Sequence, residues 1–289
     1  MLKIITYYGG AFMFKKKIGV LLLSTIMVGS LAVGCGSNDS AGSKDESKIT
    51  ISGSTSVGPL MEKEAEGYKE KDSNVSIEIN QLGTSAGIKD TISGVAQIGM
   101  ASRDLKDAEK KEGLKETKVA IDGIGIITHK GNTVKSLTMD QIKGIYTGEI
   151  KNWKEVGGKD APIVVVSRED GSGTRDAFQE IVGYDSTELA KDAQISDGNG
   201  NVKSTVAGNE NAIGYISFSY LDDSISALQV DGVNPTAEKA KSGDYKLSRP
   251  FLLVYKEDKL GESGKKFVDY ILSEDGQKIV KEDGLITIK

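Results

Sequence analysis

One local plan recurs three times in this chain: an apolar strand pattern, a turn rich in glycine and hydroxyls, then a helical pattern. The clearest copy is apolar from Ile163 to Val166 and continues Ser167-Arg168-Glu169-Asp170-Gly171-Ser172-Gly173-Thr174. Helical spacing follows from Arg175 to Val182. In the second copy Ile49 and Ile51 alternate, Gly53-Ser54-Thr55-Ser56 follow, and Leu60, Met61, Ala65 and Tyr68 recur at helical spacing. In the third, Val75, Ile77 and Ile79 lead through Gly83-Thr84-Ser85 to Ile88, Ile92 and Val95. Strand and helix periods that alternate in this way predict α/β layers with mostly parallel sheets. In such sheets ligands gather at the carboxyl ends of the strands, where these turns would lie.

The chemistry of the turns narrows the ligand. The first N–H groups of a helix lack intrahelical partners, and the helix dipole adds partial positive charge there. Glycine lets backbone approach a ligand closely. Ser172 and Thr174 add hydroxyl donors, and Arg168 adds a planar, permanent cation. Together they suit a small tetrahedral oxyanion. Ser and Thr are also ordinary helix caps, so each turn alone fits plain capping. Three such turns, one beside an arginine, favour a shared anion site.

The N-terminus reads as an export signal. Lys15-Lys16-Lys17 precede an uncharged run of 16 residues, Ile18 to Val33, and then Gly34-Cys35. That run is short for a membrane-spanning helix, which needs about 20 residues. Small residues before Cys35 resemble the lipobox of bacterial lipoproteins, in which the cysteine carries lipid. The leucine stands one position early, at Leu31. Met13 is a candidate true start. Cys35 is the only cysteine, so no intramolecular disulfide can form. The polar stretch that follows it reads as a flexible tether.

Removing residues 1–34 takes away four lysines and no acids, so the net charge moves from −5 to −9. An acidic chain of this kind is a poor match for nucleic acid. The run Asp104 to Lys118 reads as solvated helix faces. Strands are predicted over Val119–Thr128, Ile163–Val166, Ala212–Ser217 and Phe251–Tyr255. A helix is predicted over Ser136–Tyr146 with Thr138 as a cap, and another around Phe267, Tyr270 and Ile271. His129 reads as structural, and Trp153, the only tryptophan, as packing its loop onto the fold.

Four stretches, in order, resemble the phosphate-binding lipoproteins of phosphate-specific ABC importers. They are Gly53-Ser54-Thr55-Ser56, Gly83-Thr84-Ser85-Ala86-Gly87, Ile150-Lys151-Asn152-Trp153 and Arg168-Glu169-Asp170-Gly171-Ser172-Gly173-Thr174. The resemblance runs from about residue 49 to the C-terminus. It implies a type II periplasmic-binding-protein fold, two α/β lobes joined by two crossover strands with a central ligand cleft. The crossings are expected near Ala120–Gly125 and Lys246–Pro250. The implied division is a signal peptide at 1–34, a lipid-anchored tether at 35–47, one lobe from 48–122 plus 248–289, and a second from 123–247.

By the same resemblance the phosphate ligands are Ser54, Thr55 and Ser56; Thr84 and Ser85; and Arg168, Ser172, Gly173 and Thr174. The family places an aspartate just after a Gly-Ala-Ser turn to accept phosphate's proton. Here Ser102-Arg103-Asp104 stands in that place, so Asp104 is displaced by one. Ser102 is a further candidate phosphate ligand. Arg103 is either a surface residue or a second cleft cation that clamps the anion or pairs with Asp122. A cleft selective for phosphate over sulfate should hold a carboxylate acceptor, since sulfate has no proton to give it. Asp122, set among isoleucines near the first crossing, is the candidate, with Asp104 second. Asp122→Ala is expected to weaken phosphate binding at least tenfold.

The resemblance implies a monomeric extracytoplasmic receptor, anchored through lipid on Cys35, that captures inorganic phosphate and delivers it to an ABC permease. It implies no enzymatic activity, cofactor or metal. Rival readings are a receptor for sulfate or molybdate, an adhesin or sensor on the same fold, and a phosphate-ester hydrolase. The last lacks a second histidine and any evident base to activate a hydroxyl.

Overall fold

The computed structural model describes residues 48–288. The expected signal peptide, Cys35 and the tether lie outside them. The first part of the chain runs β1 (Lys48–Gly53), α1 (Gly58–Lys69), β2 (Ser76–Gln81), α2 (Thr84–Ser93), β3 (Ile98–Ala101), α3 (Asp107–Lys110) and β4 (Lys115–Thr128). Then come β5 (Ser136–Leu137), α4 (Met139–Thr147), β6 (Val164–Arg168), α5 (Gly173–Val182), β7 (Gln194–Ser196), α6 (Gly198–Ala207) and β8 (Ala212–Ser217). The chain ends with β9 (Ser226–Ala227), β10 (Gln229–Val230), α7 (Ala237–Lys241), β11 (Ser248–Tyr255), α8 (Gly261–Ile271) and α9 (Glu274–Glu282). Among the described residues no helix is long and apolar enough to cross a membrane.

Strand order explains how two halves arise from one path, β2-β1-β3-β11-β4-β8-β6-β7. β1 runs parallel to β2 and β3, and β6 parallel to β7 and β8. The long strand β4 joins them. Its residues 115–123 pair antiparallel with β11, and residues 124–128 pair antiparallel with β8. The partner changes between Gly123 and Ile124, where Ile124 N still donates to Leu247 O at 2.8 Å. The cores follow the same division. Ile49, Ile51, Leu60, Met100, Phe251, Leu253 and Phe267 form one cluster, and Ile126, Ile145, Tyr146, Phe178 and Tyr215 form another.

The period-based expectations hold for most elements, with two corrections. Ser136–Leu137 is a short strand, and the helix starts after Thr138, whose Oγ1 accepts from Gln141 N at 3.1 Å. The charged run Asp104 to Lys118 is helical only over Asp107–Lys110, and its end opens β4. There the β11 ladder takes precedence over helical spacing. Trp153 is buried and donates Nε1–H to Asn211 O at 2.9 Å. His129 Nδ1 accepts from Gly131 N at 2.9 Å in a local turn.

One buried acid stands away from the cleft. Glu64 on α1 is fully buried, and neither of its carboxyl oxygens has a hydrogen-bond partner among the described residues. Burial, with the Asp283 carboxylate adding to it, raises its pKa from 4.5 to about 9. The folded chain therefore keeps a proton that the unfolded chain releases. The contribution of Glu64 to stability is full below about pH 4.5 and is lost as pH rises toward about 9. Glu64→Gln stays neutral and keeps an N–H donor. We expect it to melt like wild type at pH 5 and several degrees higher at pH 9. Parallel melting curves at the two pH values would assign the slope to another group.

Candidate functional site

The helix N-termini after β1, β2 and β6 converge. Ser56 Oγ lies 2.8 Å from Thr174 Oγ1, which joins residues 118 apart in sequence. Ser85 N donates to Gly171 O at 3.1 Å. Arg168 Nη2 donates to Thr55 Oγ1 at 3.0 Å. Gly173 shows how closely the turns approach. A Cβ there would sit 2.3 Å from Thr84 Oγ1 and 2.7 Å from Ser102 Oγ, so no larger residue fits. Gly53 has a φ of +141°, and a Cβ on it would meet Met100 O at 2.3 Å. That glycine lets β1 turn sharply enough to present Ser54, Thr55 and Ser56.

Few of these hydroxyls serve as simple caps. Ser172 does: its Oγ accepts from Arg175 N at 3.3 Å. The N-caps of α1 and α2 are Val57 and Gly83, which have no side-chain cap bond. Ser54 Oγ accepts from Ser56 N at 3.1 Å and donates to Ser102 Oγ at 2.9 Å. Thr84 Oγ1 accepts from Ser102 N at 3.2 Å and lies 3.3 Å from Ser102 Oγ. Thr84, Ser102, Ser172 and Thr174 are all buried.

Arg168 is locked from several sides. Only 1% of its surface is exposed. Its backbone N–H donates to Tyr215 OH at 3.2 Å, and Tyr215 stacks on Phe178 with ring centroids 4.1 Å apart. Its Nε and Nη2 each reach Glu169 at 2.7 Å. Nη1 has only a 3.5 Å contact with Thr174 Oγ1, which leaves that end of the fork available. Burial pushes the Glu169 carboxyl up, but the Arg168 bonds and charge and the Gly198 N–H outweigh it, so its pKa is lowered. Cation and carboxylate thus nearly cancel. An added anion would depend on hydrogen-bond donors and helix ends more than on net charge.

Asp122 is completely buried where the two crossing strands meet. Its Oδ1 accepts from Ser217 Oγ at 2.9 Å and Phe218 N at 3.2 Å. Its Oδ2 accepts from Arg249 Nε at 3.2 Å and Nη2 at 3.0 Å. Four donors fill the usual capacity of a carboxylate. Burial pushes Asp122 up and Arg249 down, each against the pull of the other. The partner of Asp122 is Arg249, not Arg103. Arg103 uses all five N–H groups elsewhere, on Asp176, Asp104 O, Glu109 and Ser85. The Asp104 side chain is exposed.

Sequence reasoning missed Arg249 and Asn199. Arg249 Nη2 donates to Ser56 Oγ at 3.1 Å, and Asn199 Nδ2 donates to the same oxygen at 2.9 Å. A signal for Arg249 existed: a buried aspartate on one crossing strand needs a cation, and Arg249 lies on the other. Asn199 sits in Gly198-Asn199-Gly200, a fourth glycine-bearing turn at the start of a helix.

Comparison with known proteins agrees with this geometry. Residues 38–275 match the PBP superfamily domain. The phosphate-binding protein PstS of Bacillus subtilis is 36% identical over 94% of this chain and 94% of its own length. PstS of Borreliella burgdorferi is 29% identical over 93% of this chain and 99% of its own. A Clostridium perfringens crystal structure, described as a phosphate ABC transporter substrate-binding protein with bound phosphate, is 67% identical. It superposes with a TM-score of 0.83 over 84% of this chain and 100% of its own. A phosphate transport receptor from Vibrio cholerae is 38% identical, with a TM-score of 0.72 over 83% of this chain. The chain has the type II periplasmic-binding-protein fold and belongs to the PstS phosphate-binding proteins of the PBP superfamily.

Proposed function

We propose that this protein is a non-enzymatic receptor that captures inorganic phosphate outside the cytoplasm and hands it to an ABC importer. The carrying observation is the meeting of three hydroxyl turns beside one buried arginine, through Ser56–Thr174 at 2.8 Å, Arg168–Thr55 at 3.0 Å and Ser85 N–Gly171 O at 3.1 Å. Thr55, Thr84, Arg168, Ser172, Gly173 and Thr174 hold the anion, with Ser54, Ser56, Ser85 and Ser102 arranging them. The lobes are residues 48–122 plus 248–289 and residues 123–247. Lipid on Cys35 tethers a monomer to the outer face of the membrane, and the closed form docks on the permease. Ligand shifts the lobes toward closure by binding that form better. Arg103 acts as a latch: it joins Glu109 at 2.7 Å to Asp176 on α5 at 2.8 Å.

A hydroxyl pair takes the part that a carboxylate plays elsewhere in the family. Ser102 Oγ and Thr84 Oγ1 are 3.3 Å apart, and either can donate to the other. One orientation leaves a lone pair for a protonated phosphate oxygen. Asp122 supports this site from behind, through Arg249.

That arrangement favours phosphate over sulfate less steeply than a fixed carboxylate would. Calorimetry on the soluble domain should give micromolar or tighter phosphate binding, with sulfate weaker by about tenfold to a hundredfold. Sulfate binding as tight as phosphate would instead support a general oxyanion receptor. No heat from phosphate would remove the proposal.

A further inference from the structure

Ser56 Oγ meets three polar neighbours in a closed space: Asn199 Nδ2 at 2.9 Å, Arg249 Nη2 at 3.1 Å and Thr174 Oγ1 at 2.8 Å. A hydroxyl has one proton to give and two lone pairs to receive. Arginine can only donate. An asparagine amide can in principle present either end. The other end of Asn199, Oδ1, accepts from Ser217 N at 3.1 Å, a place only an oxygen can fill. Asn199 therefore also donates to Ser56. With both lone pairs taken, the Ser56 proton has one acceptor left, Thr174 Oγ1.

Thr174 Oγ1 in turn receives Ser56 O–H and faces Arg168 Nη1 at 3.5 Å. Its own proton finds no protein acceptor among the described residues. Thr174 lies in the first turn of α5, beside Arg168 and Gly173. We propose that Asn199 and Arg249 are positioning residues that make Thr174 an obligatory donor to the anion by fixing the direction Ser56 to Thr174 to ligand. This rests on the phosphate-receptor reading. The Thr84–Ser102 side carries no such constraint, so the cleft has one side fixed as donor and one side free to accept a proton.

The polarity of the relay has a consequence that packing alone does not. Asn199 matters to ligand only while Ser56 is present to transmit it. The test is a double-mutant cycle read by calorimetry with inorganic phosphate, with melting temperature measured on the same unliganded samples. Asn199→Ala should lower phosphate affinity about fivefold to tenfold, the scale of one hydrogen bond. In a Ser56→Ala background the same substitution should change affinity less than about twofold.

Asn199→Asp serves as the second variant, because it keeps the acceptor for Ser217 N and reverses the end that faces Ser56. Ser56 O–H should then turn to the new carboxylate and draw Thr174 O–H away from the ligand. Its affinity loss should shrink when Ser56 is also alanine. A loss from simple charge repulsion would persist there. Additive losses for either Asn199 variant, in protein that still binds phosphate, overturn the inference and leave the receptor reading standing. Wild-type protein silent to phosphate removes both.

Discussion

Arg168→Met will lower phosphate affinity by at least a hundredfold. The side chain is nearly fully buried, and its Nη1 is the end of the fork not committed to Glu169. Methionine keeps much of the stem but removes every donor. It also strands the Glu169 carboxylate, which keeps only backbone donors, its own N–H and Gly198 N at 3.2 Å. Truncating one partner of a buried, hydrogen-bonded charge pair costs about 2–5 kcal/mol, or roughly thirtyfold to several thousandfold in affinity. Here an incoming anion would also face an unpaired negative charge. Adding Glu169→Gln to Arg168→Met should therefore recover part of the loss. Calorimetry that shows unchanged binding for Arg168→Met would place the anion elsewhere.

Asp122→Ala should produce the largest loss of stability. It leaves Arg249 as a buried cation without its counter-ion, and it removes the acceptor for Ser217 Oγ and Phe218 N. Breaking a buried pair from one side costs about 3–5 kcal/mol. For a domain of this size that corresponds to a melting temperature lower by roughly 6–20 °C. Arg249→Met combined with Asp122→Ala should restore much of it, because the unpaired charge is gone. The sequence-based expectation concerned affinity alone. The buried pair adds a stability effect, and any tenfold loss of phosphate binding should be measured well below the variant's melting temperature. A variant that melts like wild type would mean that Asp122 is protonated and unpaired in the folded protein.

Both predictions depend on contacts that differ in how visible they were beforehand. Arg168 stood out because its turn holds cation, glycines and hydroxyls within a few positions. The role of Asp122 was half visible. An aspartate among Ile121 and Ile124 demands a partner, but naming the partner requires the β4–β11 register, which places Asp122 opposite Arg249. That register shifts between Phe251 and Leu252, and no periodicity in either strand reports such a bulge. Arg103, beside the displaced Asp104, reads equally well as a cleft cation. Its actual partners, Glu109 and Asp176, come from separate elements, and only one of them is near in sequence.

Local order was legible in the residues themselves. The alternation of Ile49 and Ile51, the Thr138 to Gln141 capping box and the glycine-hydroxyl turns act over a few positions, and short-range geometry needs no knowledge of the rest of the chain. The kind of ligand was legible for the same reason, since the donors cluster within each turn. The folded arrangement alone decided which hydroxyls meet and which side chains hold them. Ser56 meets Thr174 across 118 positions and Arg249 across 193. The direction of a hydroxyl proton depends on every partner around its oxygen, and those partners exist together only once the strands have crossed and the turns have met.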